Sequence, residues 1–162
     1  MTDEFTALNL HPQLVQAVSE LGFTSPTPIQ TAVIPLLLAG EDVIGQAQTG
    51  TGKTAAFALP ILHNLQPNQD RVQSLILTPT RELALQVARA VHDYGRFHDV
   101  RVLAIYGGSP YDKQIRRLKR GVDIVVGTPV ACSTSFAKKC STSANSPPSS
   151  STKRRNAEHG LH

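Results

Sequence analysis

Residues 47 to 54 read Ala47-Gln48-Thr49-Gly50-Thr51-Gly52-Lys53-Thr54, a run whose residue types and spacing suit a triphosphate. Glycines let successive backbone N–H groups close around phosphate oxygens, a lysine reaches the outer phosphates, and a hydroxyl serves Mg²⁺. On this reading Lys53 and Thr54 carry the chemistry, with Thr54 supplying the metal ligand beside the triphosphate. The first position of such a loop is usually glycine, and here it is Ala47, whose methyl group is tolerated if its φ stays negative.

Three further polar segments are candidates for an anionic ligand. Pro79-Thr80-Arg81-Glu82 pairs a hydroxyl that can cap a helix with an arginine fork for a phosphate. A plain cap followed by a surface arginine accounts for the same letters. Gly107-Gly108 either turns the chain or lets a ligand backbone come close, and it is followed by Ser109-Pro110-Tyr111-Asp112, a capping box with proline at the first helical position. Thr128, between Gly127 and Pro129, offers one more hydroxyl. Upstream, Gly22-Phe23-Thr24-Ser25-Pro26-Thr27-Pro28-Ile29-Gln30 also has two readings. Thr27 and Gln30 can form a Thr-x-x-Gln capping box, or the Gln30 amide can pair with an adenine edge while Phe23 stacks on the base.

These residues need a scaffold, and the apolar periodicity supplies one. Leu14, Val15, Val18 and Leu21 form a helical stripe opened by Pro12 and stopped by Gly22, and a second helix runs from Thr27-Pro28 to just before Gly40. From there strand and helix alternate: a strand over 43–45 and a helix from Lys53, a strand over 75–77 and a helix from Arg81, a strand over 102–106 and a helix from Tyr111, and a strand over 122–126. Near-continuous Val/Ile/Leu runs joined by crossover helices predict an α/β fold with a doubly wound parallel sheet. Ligands of such sheets bind outside the carboxyl ends of the strands, where each polar segment lies. Past Pro129 the composition turns to Ser, Thr, Lys and Pro with little apolar periodicity, which predicts a disordered tail over 130–162.

The net charge of the 162 residues is +4, and its placement removes the simplest nucleic-acid inference. Lys138, Lys139, Lys153, Arg154 and Arg155 against Glu158 account for all of it, so residues 1–129 are electrically balanced. The cluster Lys153-Arg154-Arg155 reads as a solvated charge run. The two cysteines, Cys132 and Cys140, have no partners at metal-ligand spacing, which argues against zinc or a structural disulfide. An acidic start without a signal-peptide pattern, and the lack of any long apolar run, imply a soluble, cytoplasmic protein.

Taken in order, the segments resemble the first lobe of a DEAD-box ATP-dependent RNA helicase: Phe5, the Gly-Phe-x-x-Pro-Thr-Pro-Ile-Gln segment, Ala-x-Thr-Gly-x-Gly-Lys-Thr, Pro-Thr-Arg-Glu-Leu, Gly-Gly and Thr-Pro. The resemblance implies a RecA-like P-loop fold, with a Gln-motif helical segment at 1–40, a partial ATP-binding lobe at 41–129 and the tail at 130–162. It implies that Phe5, Phe23, Thr27, Gln30 and residues 47–54 bind ATP with Mg²⁺. It further implies that Pro79, Thr80, Arg81, Gly107, Gly108 and Thr128 contact the backbone of single-stranded or duplex RNA. Family pattern calls for Gly-Arg after Thr-Pro, yet Val130-Ala131 follow, and no Asp-Glu-Ala-Asp occurs. The break resembles a truncation or a frame shift, and the expectation is a chain that binds ATP without the hydrolysis and unwinding machinery. A small P-loop kinase or a non-catalytic interaction module are the alternatives; a GTPase would need an Asn-Lys-x-Asp base reader. No protein partner is legible.

Overall fold

A computed structural model describes residues 3–66, 69, 71–108 and 111–142. Seven helices and three strands are described: α1 (Asp3–Thr6), α2 (Pro12–Glu20), α3 (Pro28–Leu38), α4 (Lys53–His63), β1 (Ser74–Leu77), α5 (Arg81–Tyr94), β2 (Val102–Ile105), α6 (Tyr111–Lys119), β3 (Ile124–Gly127) and α7 (Pro129–Thr142). The chain divides into two compact units, one of residues 1–68 and 89–100, the other of residues 69–88 and 101–162.

The first unit is helical. Pro12 sits at the start of α2 and Pro28 at the start of α3, where a missing N–H costs nothing. Each helix ends ahead of a glycine in the left-handed region, Gly22 at φ 85° and Gly40 at φ 87°. Leu14, Ala17 and Val18 of α2, Val33 and Ile34 of α3, and Ala55, Ala58, Leu59 and Leu62 of α4 are buried together with Phe5 and Val91. The alanines on α4 let α3 pack closely against it, so the loop before α4 is held by the residues that open α3.

The second unit holds a parallel three-stranded sheet in the order β1-β3-β2. Leu77, Gly127 and Ile105 are in register, so all three carboxyl ends lie on one edge. β3 is central and buried along its whole length. Leu103, Ile105, Leu118, Val122, Val125 and Cys132 form a core to which α6 and α7 both contribute. At the opposite, amino-terminal edge, the Asp123 carboxylate accepts two bonds from the Arg101 guanidinium, both 3.0 Å, and one from its backbone N–H at 2.9 Å. Burial alone pushes the Asp123 carboxyl up, but those bonds and the adjacent positive charge outweigh it and hold it below the usual carboxylate range.

Two sequence expectations need correction. Residues 43–45 form no strand, and Ile44 is fully exposed at 104%. An apolar run becomes a strand only when a neighbour satisfies its backbone, and no described residue pairs with this one. The second concerns the tail expected to be disordered over 130–162: its residues 130–142 belong to α7, which begins at Pro129. Pro129 opens it, the Cys132 N–H donates to the Thr128 carbonyl at 3.0 Å, and Cys132 and Ser135 are buried three residues apart. The two positions buried among its described side chains are small, so this stretch packs inward without a conventional apolar stripe. Residues 143–162, including the Lys153-Arg154-Arg155 cluster, and the Ser109-Pro110 part of the expected capping box lie outside the described residues. Among the described residues no helix is long and apolar enough to cross a membrane.

Candidate nucleotide and nucleic-acid sites

In the helical unit the loop before α4 is braced from α3. The Thr27 hydroxyl donates to the Thr51 carbonyl at 2.8 Å, and the Gln30 amide nitrogen donates to the Gly52 carbonyl at 3.1 Å. The Gln30 amide oxygen meanwhile accepts the Thr27 N–H at 3.0 Å, which is the capping half of the arrangement. Gln30 is fully buried and both ends of its amide are engaged. Within the loop, the Thr51 hydroxyl donates to the Gln48 carbonyl at 2.7 Å and Lys53 donates to the Ala47 carbonyl.

The glycines are needed where they stand. Gly50 and Gly52 take φ values of 84° and 83°, and a Cβ on Gly52 would lie 2.3 Å from the Gln30 amide nitrogen. Among the described non-glycine residues only Asn9 and Asp99 have positive φ, so Ala47 meets the condition its methyl group set. Gln48, Thr49 and Gly50 are exposed, while Thr51, Gly52, Lys53 and Thr54 are half-buried. The loop thus presents its tip outward and leads into the first turn of α4, whose free N–H groups and positive dipole end favour an anion.

Phe23 is half-buried and held edge-on by two rings, Phe5 at 6.4 Å and Tyr94 at 6.0 Å between centroids. Phe5 itself is 1% exposed. It cannot offer a ring face to a ligand in this arrangement, and its place is behind Phe23 as a buried support. Burial, and then the neighbouring Asp93 charge, push the Tyr94 phenol up from its ordinary value.

Three histidines converge in the same unit without any signal in the sequence. The His11 N–H donates to His63 Nδ1 at 3.2 Å, their rings stack at 4.3 Å, and the His98 ring lies 5.8 Å from that of His11. His98 Nε2 is buried without a partner. Burial first, and the adjoining imidazoles second, push the pKa values of His63 and His98 down, so both rings favour the neutral form. No group of His, Cys, Asp or Glu among the described residues is arranged to hold a metal ion.

The second unit gathers the other candidates at the carboxyl edge of its sheet. The Thr78 N–H donates to the Gly127 carbonyl at 3.0 Å and the Thr128 N–H to the Ile105 carbonyl at 3.1 Å, tying the strand ends together. Thr80 does cap α5, its hydroxyl accepting the Leu83 N–H at 3.2 Å. Pro79, Thr80 and Arg81 are exposed, and the Arg81 guanidinium lies 4.6 Å from the centre of the Tyr106 ring. Gly107 and Gly108 are exposed beside it, with Gly108 at φ 77° and open space over Gly107. Tyr106 is fixed in turn by Gln114 of α6, whose amide nitrogen donates to the Tyr106 carbonyl at 3.1 Å. Thr128 is half-buried on the same edge. The structure therefore brings Pro79, Thr80, Arg81, Gly107, Gly108 and Thr128 to one rim, while Thr27, Gln30 and residues 47–54 form a separate constellation in the helical unit.

Comparison with known proteins identifies the family of the chain. The chain is 52% identical over 126 residues to the ATP-dependent RNA helicase DeaD of Escherichia coli, an alignment covering 77% of this chain and 20% of that protein. It is 53% identical over 126 residues to the DeaD helicase of Buchnera aphidicola, covering 77% and 21%. The chain thus spans about a fifth of the length of these relatives. Among solved structures, a DEAD box protein of Methanococcus jannaschii superposes with a TM-score of 0.79 at 40% identity, over 84% of this chain and 37% of that one. Saccharomyces cerevisiae Dbp5, bound to RNA and ADP BeF3, superposes with a TM-score of 0.76 at 34% identity, over 84% and 34%. A family profile described as DEAD/DEAH box helicase matches residues 27–146, about three quarters of the chain, and the chain belongs to that family.

Proposed function

We propose that this chain is an ATP- and RNA-binding portion of an ATP-dependent RNA helicase, with the two ligands held by separate sets of residues. The observation that carries the reading is the bracing of the loop at 47–54 by Thr27 and Gln30, which couples a base-reading segment to a phosphate-reading one. Relatives named as ATP-dependent RNA helicases, and a structural neighbour bound to RNA and ADP BeF3, support it.

Lys53 exchanges its bond to the Ala47 carbonyl for the outer phosphates of ATP, and the N–H groups that open α4 take the remaining oxygens. Residues 47–52 supply the close backbone approach that those bonds require. Among the loop residues Thr54 would offer one hydroxyl to Mg²⁺, a hard cation that takes oxygen donors. Held there, Mg²⁺ would neutralise charge on the phosphates. Gln30 already uses one N–H and one lone pair; the second of each is the pair that an adenine edge demands, and meeting it requires the fully buried amide to be uncovered when the base enters. Phe23, steadied by Phe5 and Tyr94, offers the apolar surface beside the base.

At the rim, Arg81, the Thr80 and Thr128 hydroxyls, and the open backbone at Pro79, Gly107 and Gly108 are groups that hold sugar-phosphate without reading sequence. Hydrolysis needs carboxylates to hold the metal and orient water, and the 162 residues contain no Asp-Glu-Ala-Asp sequence. The proposal is therefore of binding with negligible turnover by these residues alone.

The test is a pair of equilibrium titrations, one with a fluorescent ATP analogue and one with a labelled single-stranded RNA. Lys53→Ala should lose ATP affinity and keep RNA affinity, and Arg81→Ala should do the reverse, each by at least about tenfold. Parallel loss of both ligands in either variant would refute the separation into two sites.

A further inference from the structure

Helix α6 carries a feature that the rim does not explain. Lys113, Arg116, Arg117 and Arg120 are all exposed and stand at i, i+3, i+4 and i+7. Arg120 lies just past the end of α6, but its N–H still donates to the Arg116 carbonyl at 3.2 Å, so it keeps its helical position. At about 100° per residue the four side chains occupy an arc roughly 100° wide, and they extend along about 10 Å of helix. The opposite arc holds Gln114 and Leu118, both buried, and half-buried Ile115. Packing therefore fixes the rotation of α6, and the cationic stripe faces outward by construction.

No described acidic side chain pairs with any of the four, and Asp112 is the single acidic residue on α6. Cations near a helix carboxyl end do offset the dipole, but that accounts for one turn and not for Lys113 in the second position after Tyr111. The helix is also tied to the rim. Gln114 bonds to the Tyr106 carbonyl, and the Tyr106 ring carries the Arg81 guanidinium. In chain order Lys113 is the first of the four after Gly107-Gly108, in the opening turn of α6, and the other three follow along the helix. An arginine-rich line beginning beside a phosphate-binding edge matches a continuous chain of phosphates better than an isolated anion. A membrane surface fits less well, because the apolar residues of α6 are packed inward and leave nothing to insert.

We infer that the Lys113, Arg116, Arg117 and Arg120 face of α6 is a second phosphate-backbone surface that continues the path of an RNA strand leaving the rim. This rests on the RNA reading above. Its contribution is electrostatic and independent of sequence.

The experiment measures the binding of a labelled single-stranded RNA to the full chain over a series of salt concentrations. Three proteins are compared: the unmodified chain, the variant Arg116→Gln/Arg117→Gln/Arg120→Gln, and a control of equal charge change, Arg71→Gln/Arg89→Gln/Lys119→Gln, taken from exposed positions off the stripe. Far-UV circular dichroism and thermal midpoint verify folding. The stripe variant should lose about tenfold in affinity at moderate salt, and the slope of log K against log salt should flatten by about 2, at roughly 0.7 per phosphate contact. The control should change little.

Equal losses in both variants would mean diffuse charge and overturn the assignment. An unchanged stripe variant, with Arg81→Ala still defective, would overturn the stripe while leaving the rim intact. An unmodified chain that fails to bind RNA would overturn both. Stripe-dependent binding to vesicles rich in anionic lipid, with no stripe-dependent RNA binding, would show that the partner was misassigned.

Discussion

Replacing Gln30 by methionine isolates the bracing of the phosphate loop from the space that the side chain fills. Gln30 is fully buried and serves two partners, the Thr27 N–H at 3.0 Å and the Gly52 carbonyl at 3.1 Å. Methionine has a similar length and volume but makes neither bond. An orphaned buried polar group costs ~1–3 kcal/mol. Thr27 and Gly52 are only half-buried, so water recovers part of the loss. A net cost of about 2–3 kcal/mol follows, or roughly 5–10 °C in the unfolding midpoint for a chain of this size. Gln30→Ala loses the same bonds and leaves a cavity, adding about 1–2 kcal/mol.

Urea unfolding followed by far-UV circular dichroism measures the first quantity. A Gln30→Met variant within about 0.5 kcal/mol of the unmodified chain would refute the brace. Nucleotide titration of the same protein separates two roles. If the amide only shapes the loop, ATP and GTP affinities fall by one common factor. If it also reads adenine, ATP loses a further five- to thirtyfold, the worth of about 1–2 kcal/mol.

Gly52→Ala should cost about 2–4 kcal/mol, from left-handed strain plus contact with the Gln30 amide, and less in a Gln30→Ala background, where the strain of φ 83° and a 3.2 Å approach to the Thr27 hydroxyl remain; additive losses in a double-mutant cycle would sink this. Gly127→Ala should destabilise by at least about 3 kcal/mol, because a Cβ there would lie 2.2 Å from the Ile105 carbonyl oxygen and 2.7 Å from the Cys132 sulfur, as chemical unfolding will report. His63 and His98 have folded pKa values below the ordinary 6.5, so the unfolded chain binds more protons near that pH. Their stabilising effect is complete above about 6.5 and is lost as pH falls through the folded values. Thermal midpoints measured from pH 7.5 down to about 5 should decline, and His98→Phe should flatten the decline; parallel profiles for the two proteins would refute the histidine assignment.

Much of the scaffold was legible because its signals are local. Pro12 and Gly22, or Pro28 and Gly40, mark helix limits through backbone chemistry that no tertiary contact needs to supply. The strand at Ile124–Gly127 was legible because it is buried along its whole length, which writes an unbroken apolar run, and Ser74–Leu77 and Val102–Ile105, though only partly buried, carry apolar runs of the same kind. Residues 43–45 carry the same run and failed, since pairing is a property of a neighbour rather than of the segment. Helix α7 failed in the other direction. Its buried positions, Cys132 and Ser135, are small and partly polar, so nothing in the hydrophobic pattern separates it from a disordered stretch. The histidine cluster joins residues from three separate segments, and the Thr27–Thr51 contact joins two loops; spacing along a chain cannot encode either.

At the site, the sequence left pairs of readings open that the structure shows to be compatible. Thr80 caps α5 through its hydroxyl, and that cap is what leaves the next side chain, Arg81, exposed on the rim against Tyr106. Gln30 caps α3 with its oxygen and braces Gly52 with its nitrogen, and the amide still has one donor and one acceptor unspent. A structural explanation of a polar residue therefore does not compete with a functional one until its hydrogen-bonding capacity is exhausted. Phe5 shows the contrary case. A phenyl ring has only its faces and edge to offer, and burial and the Phe23 contact have used them, so under the proposed nucleotide binding Phe5 acts through Phe23. The residues that retain unspent chemistry after folding, Lys53, Thr54, Gln30 and Arg81 among them, are the ones on which the proposed ligand binding draws.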